Sequence, residues 1–278
     1  MFAELATLLL AAQQIVIPLG HPRVNEQPRA PIETAGPLWA STCEGSSDRN
    51  KAAPPVRIHA NSYLVGTCGL SSILIVGDNG DVLIDGGEDV DADLIAENIR
   101  ELGYSPRDIR FILHSDDGPG QLGGIAKLQR LSGATVVASP AAAKVLRSGS
   151  TDDSQGVPVG RIVTDASEVR LGNILLTAIA SPNGLNWRWE SCDGGVCRTI
   201  VYAGSLTATG TNGAAVRPAI ARFAATPCEI LVTSDPAASD MVKRLVLGQP
   251  LFDPDACKSY AARASAKLDE RTGAEQPK

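Results

Sequence analysis

Histidine is scarce in this chain. Of 278 residues only His21, His59 and His114 are histidine, very few for an enzyme that relies on imidazole-bound metal. No run of lysine and arginine occurs, and a formal net charge of −6 argues against nucleic acid as a partner. No Cys-x-x-Cys pair is present, which disfavours a zinc knuckle. No apolar stretch is long and uninterrupted enough to make a convincing membrane span. The opening MFAELATLLLAAQQIVIPLG has the apolar core of a secretion signal, yet it lacks a positive leading region and carries Glu4. A misplaced start, a vestigial signal and a packed N-terminal helix remain three readings of it.

What the chain does have is six cysteines, at 43, 68, 192, 197, 228 and 257. An even count without a histidine cluster favours disulfides over metal ligation, with six buried thiols as the alternative. Cys192-Asp-Gly-Gly-Val-Cys197 reads as a hairpin whose turn brings two sulfurs together across adjacent strands. Disulfides imply an oxidising compartment, so the chain is expected to be periplasmic or secreted.

Five prolines between Pro18 and Pro37 mark an extended arm. We therefore divide the chain into residues 1–37, an apolar segment and arm, and a domain over 38–278. Strands are predicted at 57–65, 72–76 and 82–84, then a helix over 89–102, a strand at 109–113, a helix over 122–131, a strand at 134–138 and a short helix at 140–146. The second half repeats this rhythm, with strands at 168–171, 174–179, 187–192 and 198–203, a helix over 216–224 and a strand at 229–233. Asp253 is expected to cap the last helix, with Pro254 at its first position. Strands first and helices after, twice over, suggest two sheets packed face to face with helices outside.

The stretch IRFILHSDDGPGQLGGIAKLQRLSGAT carries the strand-to-helix turn where active sites collect in such folds. Its loop, residues 115–121, holds no histidine or cysteine.

Several blocks together resemble the metallo-β-lactamase superfamily, and most closely the third subclass of class B β-lactamases. They are Leu38-Trp-Ala-Ser, Gly66-Thr-Cys-Gly-Leu-Ser-Ser-Ile-Leu-Ile, Val82-Leu-Ile-Asp-Gly-Gly and Gly123-Gly-Ile-Ala-Lys-Leu. Trp187-Arg-Trp-Glu-Ser-Cys, Ile200-Val-Tyr-Ala-Gly-Ser-Leu-Thr and Leu251-Phe-Asp-Pro-Asp-Ala-Cys complete the set, and the matches span residues 38 to 271. The resemblance implies an α/β protein, an αββα four-layer sandwich, with disulfides Cys43–Cys68, Cys192–Cys197 and Cys228–Cys257.

The family holds two zinc ions through a His-x-His-x-Asp-His loop and two further histidines, and a zinc-bound water is the nucleophile. By the resemblance those loop positions fall here on Asp116, Gly118, Gly120 and Gln121. The family's next histidine turn corresponds to Ser181-Pro-Asn-Gly-Leu-Asn, four residues shorter, and the last ligand falls on Asp235. Ser205 keeps its place while the aspartate before it becomes Gly204. Asp85, which packs under the loop in the family, is retained and is expected to accept hydrogen bonds from loop amides.

Each signal has a bland alternative. Asp116, Asp117, Gln121 and Asp235 form either an oxygen-rich cluster suited to magnesium, calcium or manganese, an acid–base pair of carboxylates, or a solvated acidic loop, which we favour. Ser205 needs a base to act as a nucleophile, and no histidine is placed to serve. His114 belongs at a strand end and His59 on the first strand, both structural. Trp187 and Trp189 share one face of a strand and belong to the core. Gly123 and Gly124 either receive an anion at a helix start or allow that start to pack closely, and we favour packing. The sequence thus leans away from an enzyme. No cofactor is predicted, and the expected protein is a monomer that keeps a small-molecule pocket at the vestigial site. The alternative is a β-lactam, amide or ester hydrolase with an oxygen-ligated metal or none.

Overall fold

Period-two alternation in the strands sorts their side chains into three separate cores, one between the sheets and one outside each. In the computed structural model, residues 35–46, 48–115, 119–149, 156–207 and 213–274 are described, with backbone alone at 35, 119–122, 213–215 and 273–274. Strands β3 (Ile73–Ile75) and β4 (Asp81–Ile84) are buried throughout, as expected of strands covered on both faces. Ile73, Ile75, Val82 and Ile84 turn to one core, whereas Leu74 and Leu83 turn to another.

The first sheet has seven strands in sequence order. Strands β1 (Val56–His59), β2 (Ser62–Leu64), β3 and β4 run antiparallel. Strands β5 (Ile109–Leu113), β6 (Thr135–Ala138) and β7 (Val159–Ile162) continue in parallel from β4. The second sheet is ordered β12-β11-β10-β9-β8. It comprises β8 (Glu168–Leu171), β9 (Ile174–Ser181), β10 (Gly184–Asp193), β11 (Val196–Ala203) and β12 (Ile230–Thr233), with β12 alone parallel to its neighbour.

Helices α2 (Ala92–Glu101), α3 (Pro119–Ser132) and α4 (Pro140–Ser148) cover the first sheet, with Ile95, Ile99, Ile125, Leu128 and Leu146 in that outer core. Helices α5 (Gly213–Ala224) and α7 (Ala256–Ala274) cover the second, through Val216, Ile220, Phe223, Ala261 and Leu268. The layers therefore run α, β, β, α, as the resemblance implies. Between the sheets lie Trp187 and Trp189, on one face as their spacing predicts, with indole N–H groups donating to the His114 carbonyl and the Ser62 hydroxyl at 3.0 Å each. Helices α1 (Ala35–Cys43) and α6 (Met241–Val246) pack on one another at the margin of this inner core.

Three disulfides join Cys43 to Cys68, Cys192 to Cys197 and Cys228 to Cys257. Cys192 and Cys197 face one another in the β10–β11 register, as the hairpin reading requires.

Local expectations needed correction in four places. Residues 57–65 form two strands, because the chain reverses at Ala60-Asn61 with Ala60 at φ 47°. Helix α1 starts at Ala35, so the last three residues read as extended arm are helical. Strand β7 and helix α6 carry too little periodicity to be read from sequence. The last helix starts at Ala256, although Asp253 still accepts from the Asp255 amide at 3.0 Å.

At the start of β12, Glu229 accepts from the Thr199 amide and the Arg198 guanidinium, each at 2.8 Å. These bonds, the Thr199 amide first, hold its carboxyl below the usual glutamate range. A depressed folded value stabilises the fold above the ordinary pKa of about 4.3 and loses that contribution as pH falls through the depressed value. Glu229→Gln is thus expected to be less stable than the parent at pH 7, with the difference shrinking toward pH 3. Urea unfolding across that range tests this; a gap independent of pH would remove the carboxylate from the account.

Candidate functional site

The carboxyl ends of the two sheets meet at one buried carboxyl group. Asp85 follows β4 at φ 60°, a left-handed conformation that aspartate tolerates better than most side chains. Its amide donates to the Leu113 carbonyl at 2.8 Å, continuing the β4–β5 pairing by one residue. Its Oδ1 accepts from the Ser115 amide at 2.8 Å, and its Oδ2 from the hydroxyls of Ser115 and, at 2.8 Å, Tyr202. Tyr202 comes from β11, and its hydroxyl also lies 2.9 Å from the Ser71 carbonyl. One side chain thus ties both sheets and the start of the loop at Ser115, the acceptor role expected of it.

Parallel pairing aligns the next two positions. Ala203 is level with Thr233 in the β11–β12 register, which brings Ser205 and Asp235, each two residues further on, to the same edge. Both line a cleft of about 320 Å³ together with Thr207, Tyr260, Arg263 and Lys267. The Ser205 hydroxyl interacts within its own turn, accepting from the Thr207 amide at 3.3 Å and donating to its carbonyl at 3.2 Å. Asp235 is exposed, and its Oδ1 accepts from the Ala237 amide at 3.0 Å, which caps the 3-10 turn Pro236–Ser239. Tyr260 donates to the Gly204 carbonyl at 3.1 Å, and Arg263 pairs with Asp240 at 3.2 Å while donating to the Ala238 carbonyl at 3.0 Å.

The remaining predicted positions are distributed as follows. Asp116, Asp117 and Gly118 lie outside the described residues. Gly120 and Gln121 fall in the first turn of α3, which begins at Pro119, three residues earlier than the apolar pattern suggests. Strands β9 and β10 are joined by two residues only, Pro182 and Asn183, with Ser181 paired to Gly184; Asn183 donates to the Ser205 carbonyl at 3.3 Å. Among the described residues, no group of three or more His, Cys, Asp or Glu side chains is placed to hold a metal ion. His114 is fully buried, directly after the end of β5, as its position in the sequence suggests.

The paired glycines at the start of α3 are explained by contact. A Cβ at Gly124 would stand 2.0 Å from the Gly86 carbonyl oxygen, and one at Gly123 2.7 Å from the Asp89 amide. The helix start lies against the turn that follows β4, and the Gly124 amide donates to the Gly87 carbonyl at 2.9 Å.

Sequence reasoning missed Tyr202, Asn183 and the α7 wall of the cleft. Tyr202 had one legible sign, a polar aromatic in the inward-facing register of β11. Arg263 and Lys267 lie on the exposed side of a helix and carry no sign of the cleft they line.

A family model described as the metallo-beta-lactamase superfamily matches residues 65–190. Among solved structures, the chain is similar to the MIM-2 metallo-beta-lactamase at 40% identity and a TM-score of 0.79, covering 87% of this chain and 98% of that one. It is similar to MEM-A1, a subclass B3 metallo-beta-lactamase from a soil metagenome library, at 35% identity and a TM-score of 0.75, covering 82% and 98%. A third similar structure, described as the first B3 metallo-beta-lactamase with an active-site glutamic acid, has 34% identity and a TM-score of 0.72, covering 82% and 94%.

Proposed function

Since this chain belongs to the metallo-β-lactamase superfamily and its solved neighbours include B3 enzymes, we propose that it is a non-catalytic member with a dismantled zinc site and a retained small-molecule cleft. The donor chemistry at the family's ligand positions carries this reading. Gly118 and Gly120 bring no side-chain donor, and Gln121 offers an amide in place of an imidazole. Asp235 spends one carboxylate oxygen on capping a turn, and a two-residue hairpin stands where the family has a histidine. Zinc prefers imidazole and thiolate, and all six cysteines are in disulfides. These residues do not fit a zinc pair, so no hydrolytic step is derived through one.

The cleft at Ser205 and Asp235 is what remains for a ligand. Its volume of about 320 Å³ falls at the lower end of small-molecule sites, and it combines hydroxyls with two cationic side chains. Three disulfides support a periplasmic or secreted location, and we take the protein to act as a monomer. Among the described residues no helix is long and apolar enough to cross a membrane.

One observation favours a second reading, hydrolysis at an oxygen-ligated metal. A B3 neighbour is described as having an active-site glutamic acid, so a carboxylate is compatible with the active site of that protein, and this chain has Asp116, Asp117 and Asp235 near the corresponding positions.

Metal analysis separates the two. Untagged protein from zinc-supplemented medium is expected to contain well under one zinc per ten chains and to show no β-lactam turnover on the same sample. One or two zinc ions per chain with turnover would overturn the non-catalytic reading. Turnover restored by magnesium or manganese and abolished by chelation would establish the second.

A further inference from the structure

One disulfide differs from the other two in where it lies. Cys192 and Cys197 are both exposed, beside the tip of the β10–β11 hairpin. Cys43 is buried in the inner core with Cys68 packed against that core. Cys228 and Cys257 are buried between the second sheet and its helices. A disulfide is opened by a thiolate that reaches one of its sulfurs, so access decides which bond exchanges. We propose that Cys192–Cys197 is a thiol-exchange site, opened by dithiols while the fold and the other two disulfides stay closed.

The hairpin does not depend on this bond for its shape. Gly194 and Gly195 hold φ values of 54° and 88°, the two left-handed positions that a tight two-residue turn requires. Strands β10 and β11 pair in unbroken register from Trp187–Tyr202 to Asp193–Val196. At the base of the turn, Asp193 meets Arg57 of β1 at 3.1 Å. The bond spans a sequence separation of 5, against 25 and 29 for the others. The loop entropy that a disulfide removes grows with that span, so this is the bridge whose opening costs the fold least.

Exchange here is also arranged to reverse. Cys192 and Cys197 are directly opposed in the ladder, with Cα atoms 4.0 Å apart, and the strand pairing keeps them opposed once the bond is open. Two thiols held together in this way re-form their bond as a tethered pair. The chemistry balances as a two-electron exchange. A thiolate of the dithiol attacks one hairpin sulfur and expels the other as a thiolate, leaving a mixed disulfide. The reagent's second thiol then displaces the remaining hairpin sulfur. The dithiol leaves as a disulfide, and the chain keeps two electrons and two protons as the Cys192 and Cys197 thiols.

Graded dithiothreitol on the folded full chain, quenched with iodoacetamide and followed by mass spectrometry, tests the site. A form with two alkyl groups, mapped to Cys192 and Cys197, is expected at least tenfold below the concentration that opens either other bridge. Its circular dichroism should match the parent's, and an unquenched sample should regain the parent mass when the reductant is removed. Cys192→Ser with Cys197→Ser should fold, lack this early step and leave the other two openings unchanged. A redox protein with a reduced Cys-x-x-Cys pair distinguishes the two sources of dithiol. Faster opening than with an equal concentration of dithiothreitol assigns a protein source, and equal or slower opening a free one. All six cysteines reacting together would overturn the inference, as would first reaction at Cys43 and Cys68 or at Cys228 and Cys257. So would loss of the folded signal as the hairpin bond opens, or a double variant that does not fold.

Discussion

Replacing Gly124 by alanine is expected to destabilise the protein by about 3 kcal/mol or more, the upper range for forcing an atom into a filled space. Helix propensity alone predicts the opposite sign, since alanine is better than glycine in a helix interior by about 1 kcal/mol. The contact decides. The new methyl would meet the Gly86 carbonyl oxygen at 2.0 Å and the Glu88 carbonyl oxygen at 2.8 Å, both backbone atoms of the turn after β4. No rotamer relieves this, so α3 must lift from the turn, and the start of the loop at Ser115 would be displaced with it. Gly133 makes the control. It lies just past the end of the same helix at φ 71° with nothing within 4 Å of its Cβ, so alanine there carries only the left-handed penalty, roughly 1–2 kcal/mol. Urea unfolding of the two variants should rank Gly124→Ala well below Gly133→Ala. A stabilised Gly124→Ala protein would mean that the helix start does not lie against the turn.

Asp85→Ala is expected to cost about 3 kcal/mol, because it strands buried donors. The Ser115 amide and hydroxyl lose their acceptor, whereas Tyr202 keeps the Ser71 carbonyl at 2.9 Å. Alanine also accepts the φ of 60° less readily than aspartate does. For a domain of this size that stability loss lowers the melting temperature by roughly 10 °C. Asp85→Asn keeps one acceptor oxygen and the left-handed tolerance, and should lose less than half as much. Equal loss in both variants would show that the charge, and not the acceptor geometry, holds the loop start. A loss under about 1 kcal/mol for alanine would remove Asp85 from its place as the tie between the sheets.

Much of this arrangement was legible beforehand because strand burial leaves a period of two. Ile73-Leu74-Ile75 and Val82-Leu83-Ile84 declare strands covered on both faces, and Cys192 and Cys197 bracket their own turn. The order of blocks added the disulfide pairing and the layer sequence. What stayed hidden depends on the third dimension. Gly160 and Arg161 break the apolar pattern of β7, so that strand is defined by its partner β6 alone. The cleft beside Ser205 gets one wall from α7, whose Arg263 and Lys267 look like an ordinary solvated helix face. The turn at Ala60-Asn61 was lost because the residues on both sides of it alternate as a single strand would. The positions Asp116 and Asp117 were readable only as types of side chain, and the acid cluster proposed there as one alternative stays a matter for the metal analysis.

The two-residue turn between β9 and β10 bears on the history of this protein. On the reading proposed above, positions 116, 118, 120, 121 and 235 differ from the family by separate substitutions, each confined to its own codon. The turn differs in kind. Ser181 and Gly184 pair directly, and Leu185, next along, donates to the Ser115 carbonyl at 2.6 Å, so the hairpin is fixed at both its tip and its base. Lengthening it would require an insertion in the correct reading frame that also frees the tip from its contact with Ser205. On the reading proposed above, single substitutions alone do not restore a longer turn here. Asn183 at the tip and Ser205, whose carbonyl it bonds at 3.3 Å, then have the hairpin itself as their constraint.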